Sequence, residues 1–252
     1  MLSERMDLKS LSQFLWVGGI VCQAVLGMVL LLKRSWRTFP FFSAYVAAGF
    51  AESLFIYAFR QHKAIYFYSY WLMEAVGIIL GFAVVYEIFQ NLFAAHRGLR
   101  RVAKLTFRFS LVLVLAIGSI VLVKHSPVGF RSIMSAVVVV EESARIIEVG
   151  ALMSLFLLSS AFGLHWRQQV FGIALGLGIF VAVELITVTI WGQTGKAAHD
   201  ALNVIRILGF NISLLIWIGY LLAPERASSK AELPQRSQLE QWNQAVMELI
   251  NQ

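Results

Sequence analysis

Three carboxylates and a guanidinium stand in one apolar segment, VVVVEESARIIEVGALM (137–153): Glu141, Glu142, Arg145 and Glu148. On a helix Glu141, Arg145 and Glu148 fall at i, i+4 and i+7, and Glu142 precedes Arg145 by three residues. All four then share about one third of the circumference, by 100° per residue. The remainder of that face-to-face surface is Val, Ile, Leu and Met, so the segment reads as one buried polar stripe on a lipid-compatible helix.

The stripe has company. Of the 14 Asp and Glu residues in the chain, Glu52, Glu74, Glu87 and Glu184 also lie inside long apolar stretches, and Arg206 lies in another. A charge in the middle of a bilayer costs about 2.5–3.5 kcal/mol on insertion scales. Such groups must face the bundle interior, pair with each other, or carry protons. The chemistry that fits clustered carboxylates in a dry surround is binding of a cation, a proton or an amine. Glu52, Glu74, Glu141, Glu142, Arg145, Glu184 and Arg206 form the expected ligand- or cation-binding set, with Arg145 holding part of the carboxylates and Glu52, Glu74, Glu142 and Glu184 facing the ligand. Glu148 and Glu87 would extend a proton path toward the other side. The alternative is a structural ion-pair network that fixes helix packing.

The elements that position these residues are helices. Hydrophobic residues make up 59% of the 252-residue chain and charged residues 14%, against about half and a quarter in soluble domains. Crossing the hydrocarbon layer takes about 20 helical residues. Seven stretches qualify: 11–32, 39–59, 66–94, 105–123, 133–163, 168–191 and 199–222. They are too long and too continuously apolar for barrel strands. The expected fold is therefore all-α, a polytopic membrane protein of seven transmembrane helices, with a short amphipathic helix at its C-terminus. The stretch 105–123 carries little that is polar and reads as peripheral.

Orientation follows from Lys and Arg. The connectors after the first, third and fifth stretches and the C-terminal tail hold 12 of the 21 basic residues, among them Lys33, Arg34, Arg37, Arg100, Arg101 and Lys104; the other side holds 7. This places the N-terminus outside and the tail in the cytoplasm, with most of the buried charges in the outer half of the bilayer. The net charge of +7 follows from this loop bias and implies no nucleic acid. The N-terminal segment lacks a signal-peptide pattern, and the single Cys22 gives no disulfide framework within one chain.

Three regions are expected: a seven-helix transmembrane domain over 1–223, a polar linker over 224–236 and a cytoplasmic amphipathic helix over 237–252. Ser237 and Glu240 form a capping-box pattern. Leu239, Trp242, Val246 and Leu249 recur at helical spacing, and suit docking on protein, either the chain's own cytoplasmic loops or a cytoplasmic partner, better than on lipid, because basic flanks are missing. Gly77 with Gly81, and Gly172 with Gly176, form G-x-x-x-G pairs that favour close helix contact. The aromatic run YFYSYW (66–71) reads as an interfacial anchor.

Several chemistries lack their residues. The histidines (His62, His96, His125, His165 and His199) lie in or near connectors without H-x-x-x-H spacing, which disfavours a histidine-ligated zinc hydrolase. The last stretch has no lysine for a retinal Schiff base, and no G-x-S-x-G elbow or Walker loop occurs. No cofactor is indicated.

FPFFSAY (39–45), YFYSYW (66–71), LGFAVVYEIF (80–89), VEESARIIEVG (140–150), and WRQQVFGIALGLG with VEL (166–178, 183–185) together resemble a bacterial family of seven-helix membrane proteins that has no assigned activity. The resemblance covers 11 to about 224. It implies the architecture and a bacterial cytoplasmic membrane, and transfers no site. The topology also resembles seven-helix sensory modules that precede histidine kinases, without the output domain. The expected function is non-enzymatic sensing of a small polar or cationic ligand in an acidic outer-half cavity, with a signal passed to a cytoplasmic partner. A proton- or cation-coupled transporter is the alternative, and an intramembrane metal-dependent enzyme a third reading.

Overall fold

Among the described residues of the computed structural model, six helices are long and apolar enough to cross a membrane, over Ser10–Leu32, Pro40–Phe59, Leu72–Leu92, Val140–Ser160, Gln168–Ile190 and His199–Leu222. They belong to α1 (Leu2–Leu32), α2 (Pro40–Phe59), α3 (Lys63–Leu92), α4 (Phe130–Ala161), α5 (Gln168–Trp191) and α6 (His199–Leu222); α7 (Arg236–Asn251) follows, and a 3-10 turn, Ser35–Arg37, joins α1 to α2. The structure describes residues 2–59, 63–94, 130–161, 167–191, 199–224 and 236–251, with Arg108, Val112 and Ala116 as helical positions, and no strand occurs among them. The fourth expected stretch, 105–123, otherwise lies outside the described residues, as do most of the linker and the side chains of the 66–71 aromatic run.

Contacts between named residues fix the direction of each helix. Trp16 stacks on Tyr57 with ring centroids 5.9 Å apart and Ser53 Oγ donates to Gln23 Oε1 at 3.1 Å, so α1 and α2 are antiparallel. The start of α2 meets the end of α3 at Glu87. Thr189 meets Glu142 and Phe171 meets Phe156, so α4 and α5 are antiparallel. Arg206 meets Glu184 and Trp217 meets Ile173, so α5 and α6 are antiparallel. Two pairs run the same way. Asn211 Nδ2 donates to the Leu15 carbonyl and Lys33 Nζ to the Leu221 carbonyl, which makes α1 and α6 parallel. Arg145 meets Glu74 and Glu148 lies against Gly81, which makes α3 and α4 parallel.

Three of the four G-x-x-x-G glycines, Gly81, Gly172 and Gly176, allow close approaches within the chain. A Cβ on Gly172 would collide with the Tyr220 side chain, and one on Gly176 with the Trp217 indole. These two glycines let α6 approach α5 closely enough for Trp217 Nε1 to donate to the Ile173 carbonyl at 3.2 Å. Gly81 likewise leaves room for the Glu148 carboxylate.

One half of the bundle is a dry core. Leu26, Leu30, Phe39, Phe42, Val85, Ile88, Phe93, Leu155, Ile173, Leu177 and Leu221 are buried there, with Phe42 edge-on to Trp217 at 5.1 Å. Two charged side chains fasten the helix ends of that half. Lys33 Nζ donates to the carbonyls of Leu221 and Leu222 at 2.7 and 3.0 Å, satisfying the open C-terminus of α6. Glu87 accepts from the backbone N–H groups of Phe41 and Phe42 at 3.0 and 2.9 Å. Pro40 opens α2, and Phe39, which precedes it, has no side-chain oxygen to cap these donors. Glu87 supplies the cap from another helix.

Candidate functional site

The other half of the bundle encloses a cavity of about 410 Å³, lined by side chains from all six long helices. Gln13 and Asn203, both exposed, line it where the apolar spans of α1 and α6 begin, so it reaches the surface at that end. Its polar wall includes Gln23, Glu52, Ser53, Glu74, Arg145, Glu184, Arg206 and Asn211; Val46, Phe180, Phe210, Leu214 and Trp217 supply apolar surface.

A chain of ion pairs crosses the polar wall. Arg145 Nη1 lies 3.3 Å from Glu148 Oε2, and Arg145 Nη2 lies 2.8 Å from Glu74 Oε1. Arg206 Nη2 lies 3.7 Å from Glu74 Oε2, and Arg206 Nε donates to Glu184 Oε1 at 2.6 Å. Glu148, Arg145, Glu74, Arg206 and Glu184 therefore alternate in sign across α4, α3, α6 and α5. The Arg145 guanidinium also faces the Phe180 ring at 5.6 Å, a cation–π contact that favours charge in a dry site. The two arginines differ in access: the Arg145 side chain is 4% exposed and that of Arg206 is 28% exposed.

The remaining expected site residues separate into three groups. Glu52 lines the cavity and makes no ion pair or hydrogen bond among the described residues. Glu141 is buried within electrostatic reach of Glu74, Arg206, Arg145 and Glu184, yet has no such partner among the described residues either. Glu142 points elsewhere: it accepts from Thr189 Oγ1 at 3.1 Å, away from the cavity lining. Glu87 lies 13 residues beyond Glu74 on α3, which is about 20 Å along the axis at 1.5 Å per residue, and its carboxylate is occupied by the start of α2. The structure thus brings Glu52, Glu74, Glu141, Glu148, Arg145, Glu184 and Arg206 together and leaves Glu142 and Glu87 apart.

Within this cluster five carboxylates face two guanidiniums. Three buried polar atoms of the cluster, Glu184 Oε2, Glu148 Oε1 and Arg145 Nε, have no hydrogen-bond partner among the described residues. Among the uncharged polar residues of these helices, Ser213 bonds to the Gly209 carbonyl and Thr187 to those of Val183 and Glu184, each within its own helix. Gln23, Tyr45, Ser53, Asn203 and Asn211 line the cavity. Sequence reasoning passed over the apolar lining, Trp217 above all. A tryptophan five residues from the end of an apolar stretch gives no signal of its own, because an interfacial tryptophan looks the same. No group of three or more His, Cys, Asp or Glu with metal-holding geometry occurs among the described residues.

No family model, curated protein or solved structure matches the chain.

Proposed function

We propose that the chain is a non-enzymatic membrane protein that binds a small cationic ligand in this cavity and passes the resulting change to its opposite face. The observation that carries the reading is the excess of carboxylates over guanidiniums around one cavity. Glu74, Glu148 and Glu184 share two guanidiniums, whereas Glu52 lines the cavity with no ion partner among the described residues. Glu52 is half-buried, with Arg206 and Arg145 within electrostatic reach but neither in contact, so a cation that pairs with it directly adds stabilisation. An ammonium or guanidinium group entering beside Glu52 supplies that charge.

Seven crossings fit this reading. Because α3 and α4 run parallel, the chain leaving α3 at Leu92 must return to the starting side before Phe130. The apolar stretch 105–123 is long enough for that return. With the basic-residue bias, the cavity mouth then lies outside and α7 in the cytoplasm, where its exposed Trp242, Met247 and Leu249 are available to a protein partner.

The transport alternative requires a route beyond the cavity. Glu148 Oε1, buried and without a hydrogen-bond partner among the described residues, is a candidate next station. The half beyond it is filled by the dry core and closed by the Glu87 and Lys33 contacts, which favours binding over passage.

The test is thermal unfolding of the purified protein in micelles with organic ammonium salts, at constant ionic strength with sodium chloride as control. At least one ammonium salt should give saturable stabilisation that Glu52→Gln removes, whereas neutral alcohols of the same shape give none. Equal stabilisation by sodium chloride, or retention in Glu52→Gln, rejects the reading.

A further inference from the structure

Resting on that reading, we infer that Glu141 is a proton site coupled to the cation site: the empty cavity keeps a proton on Glu141, and a cation entering beside Glu52 drives that proton off. Two carboxylates of the cluster, Glu52 and Glu141, contact neither guanidinium among the described residues. They differ in access. Glu52 is half-buried and lines the cavity. Glu141 is 6% exposed and stands outside the lining. An organic ammonium can reach the first, whereas the second has room only for a proton.

The surroundings of Glu141 call for positive charge. Glu74 on α3 and Glu184 on α5 act on it, with Arg206 on α6 and Arg145 on its own helix also within electrostatic reach. Both guanidiniums are already engaged, Arg145 with Glu74 and Glu148 and Arg206 with Glu184 and Glu74. The neighbouring Glu142 is turned away toward Thr189. An ionised Glu141 would therefore be one more unpaired negative charge where carboxylates already outnumber guanidiniums, and a buried charge without a partner is costly. A proton removes that charge and needs no space.

The coupling runs through shared neighbours. Glu52 and Glu141 both lie within electrostatic reach of Glu74, Glu184, Arg145 and Arg206. An ammonium at Glu52 and a proton at Glu141 bring this group the same single charge, so each reduces the need for the other. When the cation binds, the O–H bond of Glu141 breaks, its electron pair stays on the carboxylate, and the proton passes to a base in solution. Linkage makes the effect reciprocal. Raising the pH removes the proton and tightens cation binding; lowering it restores the proton and weakens binding.

The experiment counts protons released when methylammonium, butylammonium or 2-phenylethylammonium binds the purified protein in micelles, by calorimetry in two buffers of different ionisation enthalpy. It spans about pH 5.5 to 8, where these ammonium ions keep their own protons. Wild type should release about one proton per cation bound, with affinity rising up to about tenfold per pH unit where release occurs. Glu141→Gln, which has the neutral shape of the protonated acid, should bind the cation without release and with an affinity nearly flat in pH. Should that variant not fold, Glu141→Leu, also neutral, takes its place. Binding by wild type without proton release, at a pH-independent affinity, overturns this inference and leaves the cation-binding reading standing. Undiminished release by the neutral variant overturns it too, because the proton then comes from another group. Absence of binding by all three ammonium ions overturns both.

Discussion

Arg145 Nη2 lies 2.8 Å from Glu74 Oε1, joining α4 to α3 through a pair whose side chains are 4% and 10% exposed. The same guanidinium reaches Glu148 at 3.3 Å on its own helix. A single arginine thus neutralises carboxylates on two helices that are parallel and 71 residues apart in sequence.

Removing that arginine should be costly. Arg145→Met leaves Glu74 with only the longer Arg206 contact and Glu148 with none among the described residues. Breaking a buried pair from one side costs about 3–5 kcal/mol. Unfolding in mixed micelles should show this loss, and Arg145→Met combined with Glu148→Leu should recover part of it. An unchanged midpoint for Arg145→Met would mean that the pair contributes nothing.

Two glycines of similar appearance should respond in opposite ways. A Cβ on Gly176 meets the Trp217 ring, whereas one on Gly77 meets nothing within 4 Å and projects from a cavity-lining residue. Gly176→Val should destabilise by about 1–3 kcal/mol through overpacking. Gly77→Val should keep or raise the thermal midpoint while abolishing ammonium binding, because it fills the site. Binding that survives Gly77→Val places the ligand elsewhere.

Glu87 should behave as a helix cap. Glu87→Leu strands the N–H groups of Phe41 and Phe42 in a buried setting, at about 1–3 kcal/mol. Glu87→Gln keeps one acceptor and should lose less. Neither change should alter ammonium affinity measured on the folded fraction by calorimetry, and a parallel loss of affinity would show Glu87 to be part of the site.

Crossing number is checked by reporters that are active on one side only. Fusions after residues 36, 94, 165 and 224 should all report the cytoplasmic side, and fusions after 61, 128 and 195 the outside. Residues 94 and 128 reporting the same side would contradict a return crossing between α3 and α4.

Much of this arrangement is legible in the sequence, for a physical reason. Hydrocarbon demands length and apolarity, so Pro40–Phe59 or His199–Leu222 announce themselves as spans. It also penalises charge, so Glu52, Glu74, Arg145, Glu184 and Arg206 stand out and must turn inward. Rotation about each helix is less legible. Glu142 is one residue, or 100°, from Glu141, and that step turns it from the cluster to Thr189 on α5. Glu87 shows the other difficulty. Its partners are backbone N–H groups, present at every helix start, and the only hint was that Phe39 cannot cap α2. The close seating of Trp217 and Tyr220 on α5 depended on two glycines whose facing partner no spacing rule identifies.

The most direct test is the dissociation constant of 2-phenylethylammonium on wild type, Glu52→Gln and Glu142→Gln, all carboxylate-to-amide changes of equal size. Glu142→Gln should match wild type, and Glu52→Gln should bind about 10- to 100-fold more weakly, the value of a charge-assisted hydrogen bond. Equal affinity for all three, or weaker binding by Glu142→Gln instead, would contradict a cation site built on Glu52.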